Sequence, residues 1–277
     1  MFHRLILVVA VLAAAVLLAG SALAAPPHRI VSLSPTATET LFAIGAGKQV
    51  VAVDDQSDYP KRAPRTSLSG FTPNVEAIAS YHPDLVVVQY DAGGVVEGLR
   101  KLDIRVLVQP SAKGLAVAYA QIHQLGTISG HKKAAAALVV RMKRAIAKAV
   151  KSTPRRKLSV YHELSPDYYS ATSTTFIGRI YKLFGLRNIA DAADSSGSGY
   201  PQLSAEYILS ANPALIVLAD TRCCGQSVAS VSGRAGWSNV AAVRTRSVVA
   251  IDDSIASRWG PRIVQFVQAV AKVLRRR

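Results

Sequence analysis

The stretch "NVEAIASYHPDLVVVQY" at residues 74–90 aligns without a gap with "SAEYILSANPALIVLAD" at residues 204–220, an offset of 130 residues. Glu76 stands against Glu206, Ile78 against Ile208, Ser80 against Ser210, Pro83 against Pro213 and Leu85 against Leu215. Each stretch reads as a short helix, a proline break and a run of Val, Ile and Leu, which is a helix leading into a buried strand. A second pair follows the same order. "LFAIGAGKQVVAV" (41–53) resembles "IYKLFGLRNIADA" (180–192), each an apolar helix end, a glycine turn and a return to strand. Two such similarities in one order make each half of the chain the same kind of lobe.

Working outward, strands are expected at Arg29–Leu33, Val50–Val53, Leu85–Gln89 and Arg105–Val108, and again at Leu158–His162, Leu215–Ala219 and Val248–Ile251. Helices are expected between them, at Ala37–Ile44, Val75–Tyr81, Val95–Leu102, Thr175–Phe184, Ala205–Ser210 and Arg262–Arg275. Short β-branched runs alternating with helices give an α/β fold with mostly parallel sheets. Between the halves, Lys132–Lys151 contains strong helix formers and no Gly or Pro, with Leu138, Met142, Ile146 and Val150 recurring every fourth residue. The expected architecture is two similar α/β lobes, residues 28–130 and 156–277, joined by one long helix over 131–152, with a ligand cleft between the lobes. A stiff connection of this kind allows small rocking and not wide hinge closure.

The first 25 residues have the build of a secretory signal peptide. A short basic start at Met1–Arg4 precedes an apolar run and the small-residue site Ala22-Leu23-Ala24. An uncleaved anchor is the alternative, since the run from Leu5 to Ala25 is long enough to span a bilayer. No cysteine lies near the site to carry a lipid. The protein is thus expected beyond the cytoplasmic membrane, periplasmic or at the cell surface, tethered if the leader stays. Its 33 Lys and Arg against 17 Asp and Glu give a net charge of +16. Export argues against nucleic acid, and the cations are dispersed apart from Lys143–Lys157 and the tail Arg275–Arg277, so a solvated basic surface facing anionic lipid headgroups fits better.

Cys223 and Cys224 are the only cysteines. Adjacent residues close no loop, so they mark an unusual segment and not a disulfide framework, whether joined or free. Productive redox dithiols are spaced C-x-x-C at a helix start, and the chain has no G-x-S-x-G, H-E-x-x-H or G-x-G-x-x-G. The residues therefore describe a binder and not an enzyme, with no cofactor and no metal site. A thiol enzyme or a stand-alone extracytoplasmic scavenger is the alternative from a different class.

In this order and spacing the chain resembles the iron-complex and vitamin B12 substrate-binding proteins of ABC importers, from about Arg29 to Val273. "RIVSLSPTATETLFAIGAGKQVVAV" is similar to that family's opening strand, loop and helix, and "SDYP" (57–60) to the segment after its second strand. The duplicated stretches are similar to its docking segments, and "ASRWGPRI" (256–263) to the start of its last helix. The resemblance implies a monomer that holds ligand between lobes and presents one glutamate per lobe, Glu76 and Glu206, to arginines of the permease dimer. Independently of it, Pro73 and Ser204 are good helix-start residues, which puts both acids in or near a first turn, where they would also complement the helix dipole.

If ligand sits between the lobes, its contacts come from loops at the carboxyl ends of strands. In the first lobe these offer Ser34, Pro35, Thr36, Asp55, Tyr59, Tyr90 and Asp91. In the second they offer Pro166, Tyr168, Tyr169, Arg222, Cys223, Cys224, Arg258 and Trp259, with Tyr200 on the rim. Aromatics are only 6% of the chain, yet six of them (Tyr59, Tyr90, Tyr168, Tyr169, Tyr200 and Trp259) fall in these loops, which suits a large flat ligand. The resemblance ranks cobalamin or a related corrinoid first, a ferric siderophore second and haem third. Trp237 is expected outside the cleft, Arg262 on a helix face, and His162 as the one histidine near the cleft.

Overall fold

The computed structural model describes residues 25–276. Two four-stranded parallel sheets form the two halves of the molecule. In the first, β1 (Ile30–Leu33) is followed by α1 (Pro35–Ala43), β2 (Val50–Val53), α2 (Val75–Ala79), β3 (Leu85–Val88), α3 (Val95–Arg100) and β4 (Arg105–Val108). Then come α4 (Leu115–Ile128) and the long α5 (Lys132–Lys151). The second half runs β5 (Ser159–Glu163), α6 (Phe176–Leu183), β6 (Arg187–Asn188), α7 (Ala205–Ala211) and β7 (Leu215–Leu218). It closes with α8 (Val228–Ser232), α9 (Ala241–Arg244), β8 (Val248–Ala250), α10 (Asp253–Ala256) and α11 (Ile263–Leu274).

The strand orders are β2-β1-β3-β4 and β6-β5-β7-β8. The duplicated stretches become α2–β3 and α7–β7, and each strand takes the third place in its sheet, beside β1 or β5 in parallel register. Even the break between helix and strand is repeated: His82 (φ 48°) and Asn212 (φ 43°) occupy the same aligned position, both left-handed. Strands β1, β3, β5 and β7 are buried at every residue, because helices cover both faces of each sheet.

Helix α5 covers the range the sequence predicts, with Leu138, Met142 and Ile146 buried on one face and α4 and α11 packed against it. Sequence reading assigned no element to α4. Its buried residues Ala118, Ile122, Leu125 and Gly126 form one stripe, packed on α1 and α5, but exposed apolar residues such as Val117 blur the pattern in the sequence. At Gly126 α4 and α5 approach so closely that a Cβ there would collide with that of Ala135. Among the described residues no helix is long and apolar enough to cross a membrane. The expected leader, up to residue 24, lies outside the described residues.

Candidate functional site

Parallel strands all point their carboxyl ends the same way, and the loops leaving those ends form one surface in each lobe. The two lobes meet at a seam built from charged residues. Arg258, after α10, donates to Asp58 Oδ1 at 2.8 Å, to Glu39 Oε1 at 3.0 Å and to the Gln56 carbonyl at 2.9 Å. Arg262 donates to the same Glu39 through Nε (2.9 Å) and Nη2 (2.5 Å). Arg222 donates to Asp58 Oδ2 at 2.8 Å and to Asp252 at 3.3 Å. Burial alone would raise the Asp58 carboxyl, but hydrogen bonds and charge from Arg258 and then Arg222 outweigh it and hold it below its ordinary range. Glu39 is buried and so must have both partners; removing either leaves charge in a dry site.

A cavity of about 760 Å³ opens beside this seam, lined by Asp58, Tyr59, Lys61, Arg65, Arg222, Asp252 and Arg262 among others. A smaller one, about 190 Å³, lies on its other side, between Pro35, Thr36, Asp54, Phe71, Tyr90, Arg258 and Trp259. Trp259 is almost buried there and donates from Nε1 to Gln121 Oε1 of α4 at 2.8 Å, so a second-lobe indole is seated on a first-lobe helix. Asp54 ends β2 at the same cavity; burial chiefly pushes its carboxyl up to about 6, and its Oδ1 has no partner.

The structure divides the sequence-predicted residues into groups. Pro35, Thr36, Tyr90, Arg258 and Trp259 share the smaller cavity, and Tyr59 and Arg222 the larger. Tyr169 and Tyr200 lie on neighbouring segments of the second lobe, where Tyr169 pairs with Gln202 and the Ser170 amide donates to the Pro201 carbonyl, and neither lines a cavity at the seam. Ser34 is buried, its hydroxyl accepting from the Ala37 amide as the N-cap of α1. Asp91 accepts from the Val96 amide at 2.9 Å. Asp55 and Pro166 are exposed and line neither cavity. Tyr168 turns into its own lobe and stacks on Trp237, which is buried outside the cleft as expected, and Arg234 covers both rings. Cys223 and Cys224 are joined to each other on an exposed turn, with the Cys223 amide held by Asp253 at 2.7 Å.

Three expectations change. Arg262 does not face along a helix; it sits at the N-cap of α11 and swings back over the Tyr59 ring at 4.2 Å into the seam. His162 is fully buried inside the second lobe, bonded to Tyr181 Oη at 2.5 Å, and burial pushes it down to about 3, so it stays neutral and away from the cleft. The cap of α2 is Asn74 and not Pro73, its Oδ1 accepting from Ala77 at 2.7 Å; Ser204 caps α7 in the same way, from Tyr207 at 3.1 Å. Glu76 and Glu206 therefore fall in equivalent first turns, both exposed. Hydrogen bonds from its own backbone amide and from Ser204 hold Glu206 below the ordinary range.

Sequence reading missed Phe71, Glu39, Asp58 and Gln121. Phe71 could have been found, since it precedes Glu76 by five residues much as Tyr200 precedes Glu206 by six. Five aromatics, Tyr59, Phe71, Tyr90, Tyr169 and Tyr200, are between 42% and 68% exposed, and all sit in loops at the carboxyl ends of strands or just before α2 and α7. Large aromatic rings left in water mark places of contact, and three of these line the two cavities at the seam.

Comparison with known proteins decides the family. Residues 30–255 match the family described as periplasmic binding protein. The chain belongs to that family. This periplasmic binding protein is 32% identical to an uncharacterized ABC transporter substrate-binding lipoprotein of Bacillus subtilis, over 89% of this chain and 79% of that one. It is 33% identical to a cobalamin-binding protein of Halobacterium salinarum, over 88% and 69% of the two chains. Among solved structures, the periplasmic vitamin B12 binding protein of Vibrio cholerae superposes with a TM-score of 0.74 at 27% identity, covering 90% of this chain and 97% of that one. The periplasmic heme binding protein of the same organism has a TM-score of 0.78 over 89% and 98% at 23% identity, a likeness of fold.

Proposed function

We propose that this periplasmic binding protein is the extracytoplasmic substrate-binding component of an ABC importer, that it holds cobalamin or a related corrinoid between its lobes, and that it docks on the permease dimer through Glu76 and Glu206. The observation that carries the ligand class is the set of exposed aromatics in the loops of both lobes, three of which, Tyr59, Phe71 and Tyr90, line the cavities beside the seam. A broad, largely uncharged ring system gains apolar contact from such rings at little cost in rotamer entropy. A polyanionic ferric siderophore would need free cations; Arg222, Arg258 and Arg262 are each committed to Glu39, Asp58 or Asp252, which leaves Lys61 and Arg65 of the larger cavity and puts a siderophore second. Haem would need an axial ligand; His162 is sealed in the core, which leaves only a tyrosine. The cobalamin- and vitamin B12-binding relatives support the same order.

The test is titration with cyanocobalamin followed by tryptophan fluorescence. Trp259 lines the smaller cavity and Trp237 is buried under Tyr161 and Tyr168. Quenching that saturates at one equivalent and is lost in Trp259→Phe supports a corrinoid at the seam. No response at high micromolar cobalamin refutes that ligand and moves the assignment to a ferric siderophore or haem, each then titrated in the same way.

A further inference from the structure

The cations of this protein are not spread evenly. From residue 104 to 162 the chain carries twelve Lys and Arg and no Asp or Glu, and from 254 onward it again has no acid. The fold puts these two stretches together, because α4, α5 and α11 pack into one layer. On α5, Arg141, Arg144, Lys148 and Lys151 recur at three- and four-residue spacing, exposed on the face opposite the buried Leu138, Met142 and Ile146. Arg275 donates to Ser152 Oγ and Thr153 Oγ1 at 3.3 and 3.4 Å, which brings the end of α11 beside the end of α5. Among the described residues, none of these cations lies within ion-pair distance of an acid, whereas Arg222, Arg234, Arg258 and Arg262 on the other side all do.

Topology puts this layer away from the cleft. Helix α4 leaves the carboxyl end of β4 and runs back along the lobe; α5 starts where α4 ends and delivers the chain to the start of β5. The cationic helix, about 30 Å long, thus spans the amino ends of both sheets. The chain also enters the fold there. Pro26 lies against Gly130, just before α5, and the Pro27 carbonyl accepts from Gln49.

From this layout we infer that the α5 face binds anionic phospholipid headgroups while the protein is free of the permease, a pose opposite to docking through Glu76 and Glu206. Unpaired cations recurring along one exposed helix face fit an extended surface of negative charge. Each cation near such a surface strengthens binding roughly fivefold. The attraction weakens as salt shortens the Debye length.

The test is flotation of the exported, purified chain with phosphatidylcholine vesicles, with and without phosphatidylglycerol, at low and at physiological salt. Binding that requires phosphatidylglycerol and falls with salt is expected. Replacing Arg144, Lys148 and Lys151 by Gln should lower it about 100-fold, while replacing Lys101, Lys113 and Arg179 by Gln, an equal loss of charge elsewhere, should leave most of it. Both sets are exposed and either variant should fold, which circular dichroism checks. Equal loss in the two variants would reduce the effect to net charge and overturn the assigned face. Binding to phosphatidylcholine alone, or none to phosphatidylglycerol, would overturn the inference outright.

Discussion

Arg258 of the second lobe donates to Asp58 of the first at 2.8 Å, and the same guanidinium reaches the buried Glu39 at 3.0 Å. The lobes are therefore joined by charge at the mouth of the cleft as well as by α5 behind it. Glu39 is the pivot, because Arg258 and Arg262 both converge on a carboxylate with almost no solvent of its own. Glu39→Gln should destabilise the fold by about 3–5 kcal/mol, the usual cost of breaking a buried pair from one side. Urea unfolding measures it. A loss under about 1 kcal/mol, typical of a surface ion pair, would mean that the seam contributes little to holding the lobes.

Asp220 and Glu163 form a second buried acid site, at the carboxyl ends of β7 and β5. Arg234 is spent on Glu163, to which it makes two bonds of 2.7 Å, and neither oxygen of Asp220 has a partner. Burial first, then Glu163, pushes Asp220 above its ordinary range, so two acids share one cation and the site favours a proton. A folded pKa above the unfolded one means that the folded state binds the extra proton. Stability is then greatest below the ordinary carboxylate range near 4 and is lost as pH rises toward about 7. Asp220→Asn should flatten that part of the curve and stabilise the protein at pH 8, by no more than about 4 kcal/mol. Thermal unfolding from pH 4 to 8 reads this out, and an unchanged slope would refute the shared proton.

Reversing Glu76 and Glu206 to Lys should leave ligand affinity unchanged, since both are exposed and neither lines a cavity at the seam. Transporter stimulation should collapse, because losing a desolvated interfacial charge pair commonly costs 2–5 kcal/mol, roughly 30-fold or more in affinity. Uptake at the native rate by the double variant would sink the docking proposal.

Cys223 and Cys224 close no loop, so their bond removes almost no entropy from the unfolded chain. The double Ser variant should match the parent within about 0.5 kcal/mol in urea unfolding, as surface changes do. A larger loss would reveal that the turn after β7 bears on lobe stability.

The fold was legible because periodicity and duplication are local properties of a chain. The repeated stretches at 74–90 and 204–220, the β-branched runs and the uninterrupted helix former at 132–151 each declare their structure within a few residues, and the exposed glutamates follow from the caps beside them. Phe71 went unread although it was signalled. Glu39 and Asp58 carried no local signal, since their partners Arg258 and Arg262 lie about 200 residues away in sequence. The sequence showed loops rich in tyrosine and arginine, but a side chain near the end of a strand can turn outward, as Tyr59 and Tyr90 do, or inward, as Tyr168 does against Trp237. Whether an arginine is free for ligand or spent on a neighbouring acid, and whether scattered lysines gather on one face, depends on distances between elements far apart in the chain. Those distances exist only once the lobes have packed, because Coulomb and contact energies act through space while sequence patterns report only on neighbours along the chain.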